Sequence, residues 1–339
     1  MTYIPHFTIT SALLSLVEEI AALRERIEAA TVSLSWIPNL QKDTRVRNGH
    51  ASTAIEGNPL TLEQVRALEE GRELTASDER SEREVLNYFA GLRFIEKNAK
   101  RGVITHEDLF TLHRLLADTV MDQGQAGAYR TIQVRVGNHY PPAAADISPL
   151  MFELLEWWNT ESRNLSPVLS SAILHYRFED IHPFADGNGR MGRALALWDL
   201  YRRGFDSHAL FSVDEYYWED RPAYYAALAQ VSQAGEDLTE WLEYSARGLK
   251  QTLERVWIRL QKFQSSHGEK KITLTPRQEE VLGLLSDHGS LSPAEIWKYL
   301  DVSRQGAMNI LTPLLEAGLV EKRGTKKTGR YFLTPSPGG

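Results

Sequence analysis

Apolar residues recur with the helical period along most of this chain, and this pattern restricts the fold more than any other feature. From Ser11 to Ala30 they occupy one face of a predicted helix. The same spacing predicts further helices at 45–55, 80–98, 106–120, 147–160, 167–179, 190–203, 221–233 and 238–264. Before Phe263, residues 131–136 alone have a strand pattern, and a Gly-Asn turn follows them. The fold class is therefore predicted to be mainly α.

The predicted helix over 45–55 has a clear end, and a new helix starts directly after it. Gly57, Asn58 and Pro59 follow one another, which is typical of a helix C-terminus. Thr61 and Gln64 then stand three residues apart, as in a capping box. A further helix is therefore predicted from Thr61 onwards.

The character of the chain changes after Phe263. A polar stretch over 264–271 predicts a linker. Beyond it, the sequence predicts three short helices and then a β-hairpin, at 276–286, 292–301, 303–317, 319–323 and 330–334. This order of elements resembles a winged helix.

Basic residues in this C-terminal part are consistent with DNA, but their balance leaves the partner open. The helix at Ser303 begins with polar and basic residues, as a recognition helix does, and the loop 322–330 carries five Lys or Arg residues, as a wing does. Residues 272–335 nevertheless contain eight Lys or Arg against seven Asp or Glu. DNA and a protein partner are therefore both retained as hypotheses.

The composition narrows the functional classes. The 339 residues contain no cysteine, which excludes disulfides, thiolate catalysis and zinc sites built on cysteine. A net charge of −7 disfavours a protein that coats nucleic acid along its whole length. The sequence shows neither a signal-peptide pattern nor a run long enough to span a membrane, so we expect a cytoplasmic protein without a membrane partner.

The run from His182 to Arg193 concentrates groups that suit a nucleotide's phosphates. His182 titrates near neutral pH and suits a general base, and Asp186 suits a hard cation such as Mg²⁺. The glycine-rich turn 187–189 leads into a predicted helix, whose first N–H groups and dipole favour an anion. Arg190 lies three residues before Arg193, so both guanidiniums share one helix face.

Two other interpretations of this run exist. Taken singly, each of its residues is more typical of an ordinary structural turn. A second interpretation is a metal-hydrolase cluster formed by His175, Asp180, His182 and Asp186. That cluster would leave the glycine-rich turn without a role.

The run from His182 to Arg193 resembles the signature of the Fic family, the protein adenylyltransferases. The family pattern specifies a His, a Phe, an acidic residue, a Gly-Asn pair and two Arg at fixed spacing, and all are matched here. The similarity continues in helix order from about Thr105 to Leu249. It implies that ATP and Mg²⁺ are used to transfer AMP to a Ser, Thr or Tyr hydroxyl of a target protein or of the chain itself. It also implies His182 as the base, Asp186 as the Mg²⁺ ligand and Phe184 as an anchor in the core.

The resemblance assigns nucleotide and target contacts as well. Residues 134–142 are similar to the Fic flap, a short hairpin that pairs with the backbone of the target as an added strand. Tyr225 takes the position of a tyrosine that lines the adenine pocket, whereas Ser232 stands where family members often have Asn. The residues implied to contact the nucleotide are Gly187, Asn188, Gly189, Arg190, Arg193, Val134, Arg135, Val136, Gly137 and Tyr225.

A second motif, from Ser52 to Gly57, resembles the inhibitory motif of Fic proteins. Ser52 and Glu56 are four residues apart and share one helix face. The resemblance implies that Glu56 forms a bidentate pair with Arg193, the guanidinium that should hold the γ-phosphate of ATP. The chain is therefore expected to inhibit itself.

These predictions combine into three parts. An N-terminal helical region with the inhibitory helix covers 1–104, a Fic core with its short β-hairpin flap covers 105–263, and a winged helix covers 272–335. The expected function is AMP transfer restrained by Glu56. The alternatives are removal of AMP or transfer of UMP at the same site, and a DNA-binding regulator whose Fic core senses a nucleotide. A homodimer is compatible with either function.

Overall fold

The computed structural model describes residues 2–30, 37–75, 77–137, 139–205, 209–266, 274–324 and 329–334. For residues 37–39 and 263–266 it describes the backbone alone. Several predicted features lie outside the described residues: linker residues 267–271, Asn138 of the flap, wing residues 325–328 and the tail 335–339.

The fold is mainly α, as the sequence predicts. The first helices are α1 (Ser11–Ala29), α2 (Ile37–Ile55), α3 (Leu62–Glu69), α4 (Glu79–Asn98) and α5 (His106–Ala117). The next are α6 (Ile147–Asn159), α7 (Pro167–Ile181), α8 (Asn188–Arg202), α9 (Asp214–Glu219), α10 (Arg221–Gln233) and α11 (Thr239–Ser266). The last are α12 (Pro276–His288), α13 (Pro293–Tyr299) and α14 (Arg304–Glu316), followed by β1 (Val320–Arg323) and β2 (Arg330–Leu333). Two short 3-10 helices cover Ala144–Asp146 and Glu161–Asn164.

The local signals place most element ends correctly. The Thr61 capping box is confirmed, because Thr61 accepts a hydrogen bond from Gln64 N and donates its own N–H to the Gln64 side chain at 2.9 Å. The largest boundary difference is at α2, which begins at Ile37 rather than at Arg45. The six-residue helix α9 was not predicted, since it is too short to carry a periodic pattern.

The predicted strand over 131–136 is wrong for all but its last residue. Val136 alone forms a β-bridge, to His139, with N–O distances of 3.1 and 2.9 Å across the turn. Continuing this ladder would place Pro141 and Pro142 opposite residues 134 and 133. Because proline has no N–H group, these two positions cannot donate ladder hydrogen bonds. The flap is therefore a narrow turn rather than a long hairpin.

The chain divides into two compact units. The first comprises the described parts of Met1–Ile27 and Thr44–Trp257, and the second those of Glu28–Asp43 and Ile258–Gly339. The predicted boundary between residues 104 and 105 stays a prediction.

The second unit contains a winged helix, as the sequence predicts. Helices α12, α13 and α14 enclose an apolar core that includes Val281, Leu311 and Leu314. Strands β1 and β2 pair antiparallel with Val320 opposite Leu333, and Leu291 adds a bridge to Tyr331.

In the first unit, α7 and α8 pack against each other and present the loop that joins them. Ser166 caps α7, and Pro167 occupies its first turn, where the missing N–H costs nothing. Trp158 of α6 packs edge-on against Trp198 of α8 and donates a 2.7 Å hydrogen bond to Asp199. The loop 182–187 therefore rests on a rigid base. Within the described residues, no helix is both long and apolar enough to cross a membrane.

Candidate active site

The loop from His182 to Gly187 forms the centre of the site. Both of its ends adopt the left-handed backbone conformation, with φ of 50° at His182 and 77° at Gly187. The Asn188 side chain closes the loop from inside by accepting from Phe184 N at 2.9 Å and donating to Phe184 O at 2.8 Å. The Phe184 ring is fully buried and stacks on His113 with centroids 3.7 Å apart. The anchoring role predicted for Phe184 is consistent with this contact.

The start of α8 offers unsatisfied positive groups. No side chain caps this helix, so its first N–H groups point towards the loop without a side-chain acceptor. Arg190 is buried, and among the described residues its Nε and Nη1 atoms have no hydrogen-bond partner. Asp186 lies beside it, with Oδ1 2.6 Å from Gly187 N and 3.8 Å from Arg190 Nη2. The arrangement suits a phosphate group, which would bring the missing acceptors.

Arg193 lies on the next turn of α8 and faces the end of α2. Its Nη2 donates to Glu56 Oε1 at 2.8 Å and to the Ser52 carbonyl at 2.8 Å, and its Nε donates to the Ser52 hydroxyl at 2.9 Å. The predicted pair of Glu56 and Arg193 is therefore present, but it is not bidentate. The Ser52 hydroxyl accepts from Arg193 Nε, the second donor that a bidentate pair with Glu56 would use.

Gly189 is the point at which Glu56 reaches the loop. A Cβ at Gly189 would lie 2.2 Å from Glu56 Oε1, closer than real Cβ contacts allow. The Glu56 side chain is 35% exposed, whereas that of Arg193 is 1% exposed. The carboxylate therefore enters from solvent and ends above the turn that would hold phosphates.

His182 stands in its neutral form. Burial lowers the pKa of His182 to about 4. A hydrogen bond to the Glu179 backbone raises this pKa, and the nearby positive charge of Arg130 lowers it further. Glu179 Oε2 lies 3.8 Å from His182 Nδ1. The prediction that His182 titrates near neutral pH is therefore wrong, because burial disfavours the charged imidazolium. The neutral imidazole can still accept a proton, as a weaker base than the sequence predicts.

The metal-hydrolase interpretation is wrong for the described part of the chain. No group of three or more His, Asp or Glu side chains there could hold a metal ion. His175 is instead buried and hydrogen-bonded to the Tyr224 hydroxyl at 3.1 Å. Asp186 alone fits Mg²⁺ as a substrate-borne ion, because this cation usually takes one or two carboxylates and completes its shell with phosphates and water.

Comparisons with known proteins agree with this geometry. The Fic/DOC family description matches residues 103–200. A crystal structure of a Fic family protein from Desulfovibrio desulfuricans G20 is 31% identical, with a TM-score of 0.67, and the match covers 98% of this chain and 99% of that one. The chain belongs to the Fic family. The MarR family description matches residues 272–330, within the winged-helix unit.

Curated Fic relatives are similar to this chain over part of their length and are longer proteins. Protein adenylyltransferase fic-1 of Caenorhabditis elegans is 32% identical over 251 residues, which is 71% of this chain and 47% of that protein. Protein adenylyltransferase Fic of Drosophila melanogaster is 34% identical over 193 residues, 56% of this chain and 39% of that protein. The chain thus spans less than half the length of these relatives. A structure of Fic-1 from C. elegans, 26% identical, has a TM-score of 0.65 and matches 74% of this chain and 73% of that one.

The predicted flap is tied to the loop 182–187 by one arginine. Arg130 donates to the carbonyls of His182 at 2.8 Å, Ile132 at 2.9 Å and Pro142 at 2.7 Å. His139 at the far side of the turn lies 3.2 Å from the Asp180 carbonyl. Val134 is half-buried, and Arg135, Val136 and Gly137 are exposed at the edge of the flap.

The residues expected at the Fic nucleoside pocket lie apart from one another. Tyr225 is 39% exposed, and its hydroxyl is 3.5 Å from the Ile55 carbonyl, beside Glu56. Ser232 lies near the other end of α10, with its hydroxyl 3.4 Å from that of Tyr176. Tyr225 therefore borders the site near Glu56, and the position of Ser232 gives no direct contact with it.

The sequence analysis did not predict His113, which contacts the loop 182–187. Its Nδ1 accepts from Gly127 N at 2.8 Å, so its Nε2 must carry the proton and donate to the Asp186 carbonyl at 3.0 Å. Burial lowers the pKa of His113 to about 4. Arg130 and Glu179 were missed as well. None of the three belongs to a motif, so nothing in the sequence distinguished them.

Proposed function

We propose that this chain is a protein adenylyltransferase that transfers AMP from ATP to a hydroxyl of a protein. The observation that carries the proposal is that His182 lies on the same loop as the uncapped start of α8 and the buried Arg190. Among the described residues, Nε and Nη1 of Arg190 have no hydrogen-bond partner. A base and an anion site on one loop suit attack of a hydroxyl on phosphorus. The names of the curated relatives support the same reaction.

The proposed step is a substitution at the α-phosphorus. The Ser, Thr or Tyr hydroxyl of the target gives its proton to His182 as its oxygen bonds to phosphorus. The bond between the α-phosphorus and the bridging oxygen breaks, and pyrophosphate leaves with the electron pair. The N–H groups at Gly187, Asn188 and Gly189 together with Arg190 hold the phosphate oxygens. Asp186 would hold Mg²⁺, which neutralises phosphate charge when bound.

We further propose that Glu56 inhibits this reaction in cis. Arg193 would hold the γ-phosphate, and Glu56 occupies one of its donors at 2.8 Å. ATP must displace this carboxylate to bind productively. A hydrogen bond between charged groups contributes about 2 kcal/mol, which corresponds to roughly thirtyfold in rate or affinity.

The donor group is tested with ATP labelled at either the α- or the γ-phosphate. The Glu56→Gly variant is incubated with a cell lysate, Mg²⁺ and each nucleotide, and acid-precipitated protein is counted. Relative to the same lysate without the variant, we expect additional label from the α-position only. Additional label from the γ-position would indicate phosphoryl transfer by this chain and contradict the proposal.

The same assay separates the alternatives. Stronger labelling from UTP than from ATP would favour UMP transfer. Loss of AMP from a pre-modified protein, promoted by wild type and not by Glu56→Gly, would favour removal of AMP with Glu56 orienting a water molecule.

We propose DNA as the partner of the winged helix, which the MarR match supports. In a gel-shift titration, the full chain should bind duplex DNA at low salt and release it as salt rises. Absence of any shift at low salt would favour a protein partner instead.

A further inference from the structure

Arg193 has a second carboxylate partner besides Glu56. Asp214, the first residue of α9, places Oδ2 3.6 Å from Arg193 Nε. No motif includes this residue, and its helix was not predicted. Two arginines, Arg190 and Arg193, lie near the start of α8. Among the described residues, only Arg193 of these two forms ion pairs with two acidic side chains.

Asp214 is fixed by a buried network from three helices. The Tyr88 hydroxyl of α4 donates to Asp214 Oδ2 at 3.0 Å and also lies 3.4 Å from Asn48 Oδ1 of α2. Burial raises the pKa of Asp214, and Arg193 together with hydrogen bonds from Ser52 and Tyr88 opposes this shift. The Ser52 hydroxyl, which accepts from Arg193 Nε at 2.9 Å, thus influences Asp214 as well.

The two carboxylates differ in how easily they can leave. Asp214 has 8% of its side chain exposed and is held by α2 and α4, whereas Glu56 is 35% exposed and follows the end of α2. Displacing Glu56 moves it into water. Moving Asp214 would break its buried hydrogen bonds, which is costly.

Packing alone does not fix the direction of the guanidinium. A cavity of about 30 Å³ adjoins Arg193 and is lined by both apolar and polar side chains, among the latter Asn48, His175, Asp214 and Ser245. Space of this kind allows a side chain to shift. The ion pair with Asp214 holds the guanidinium against such a shift together with the two hydrogen bonds to Ser52.

We infer that Asp214 is a positioning residue that keeps Arg193 neutralised and aimed at the γ-phosphate after Glu56 has left. The inference rests on the proposed function, in which Arg193 holds that phosphate. Without Asp214, release of Glu56 would leave the buried guanidinium without an ion-paired carboxylate until ATP arrives, since Glu179 close by is held protonated by burial. With it, Arg193 keeps one orientation in the inhibited and the released states.

The test compares ATP with ADP, which lacks the γ-phosphate. Binding is measured by calorimetry with Mg²⁺ in a Glu56→Gly/His182→Ala background, which cannot turn over. Adding Asp214→Asn should weaken ATP about tenfold, equivalent to 1.4 kcal/mol, and leave ADP within about twofold. Tyr88→Phe should weaken ATP in the same direction by less.

Asp199→Asn is the matched control. Asp199 is equally buried on α8 and binds Trp158 and Ser170, away from Arg193. It should alter stability without a selective loss of ATP. Equal loss of ATP and ADP in Asp214→Asn would show a merely structural role and overturn the inference.

Failure of the proposed function would look different. If the background variant binds ATP no more tightly than ADP, Arg193 does not hold a γ-phosphate. If it prefers ATP, and both Asp214→Asn and Tyr88→Phe keep that preference in full, only the role of Asp214 is contradicted. A misfolded Asp214→Asn, detected by its melting curve, leaves Tyr88→Phe to decide.

Discussion

At the residue scale, Gly189 decides whether Glu56 can reach the phosphate turn. Its backbone is helical, so alanine is tolerated there, and the added Cβ meets the movable end of Glu56 most closely, with Arg193 Nη1 next at 3.3 Å. We predict that Gly189→Ala pushes Glu56 away and raises AMP transfer several-fold, with roughly fivefold corresponding to about 1 kcal/mol. The rate of label transfer from α-labelled ATP measures this.

Gly283→Ala serves as the control for that prediction. Gly283 is also helical, and a Cβ there meets nothing within 4 Å. Its transfer rate should equal that of wild type. An unchanged or lower rate in Gly189→Ala would mean that Glu56 does not limit access to the turn.

Glu179 makes stability depend on pH. Burial raises the pKa of Glu179 to about 8, with Arg193 opposing the shift and Glu56 adding to it. The folded chain keeps a proton that the unfolded chain loses above pH 4.5, so this group lowers the free energy of unfolding as pH rises from about 4.5 to 8. Glu179→Gln should remove this pH-dependent decrease in the free energy of unfolding.

The free energy of unfolding of Glu179→Gln should exceed that of wild type by a small amount at pH 5 and by roughly 4 kcal/mol at pH 8. Urea unfolding at the two pH values measures it, with the exposed Glu63→Gln as the control. A gain that stays constant between pH 5 and 8 would show that Glu179 is already ionised in the folded chain.

At the element scale, the flap depends on Arg130. Its guanidinium joins both ends of the flap to the catalytic loop through three carbonyls. Arg130→Ala should release the flap, lower AMP transfer to proteins about tenfold, and leave ATP affinity within about twofold. Transfer and calorimetry in the Glu56→Gly background separate the two effects, and equal loss of both would contradict a role limited to the target.

The sequence predicts elements and motifs better than it predicts partners in space. Helix α10 matches its predicted range at both ends, because Pro222 and the polar residues around it mark clear limits. The contact of Glu56 with Arg193 could be predicted only because both residues belong to recognisable motifs. Asp214 and His113 act across helices that are far apart in sequence, and no local pattern encodes such contacts.

At the scale of the whole molecule, each unit has its own core. Leu311 is fully buried in the winged helix. Leu311→Ala should lower the free energy of unfolding of that unit by about 2 to 5 kcal/mol. Calorimetric melting should show one shifted transition, and AMP transfer by Leu311→Ala in the Glu56→Gly background should persist at temperatures between this transition and the melting of the first unit. Loss of transfer at those temperatures would show that the site requires an intact winged helix.

The central claim is that His182 catalyses AMP transfer and that Glu56 restrains it. The most direct test measures transfer from α-labelled ATP by wild type, Glu56→Gly, His182→Ala and the double variant. We predict a rise of about tenfold or more for Glu56→Gly, and no transfer in either variant that lacks His182. Equal rates in wild type and Glu56→Gly, or transfer that survives His182→Ala, would contradict the account.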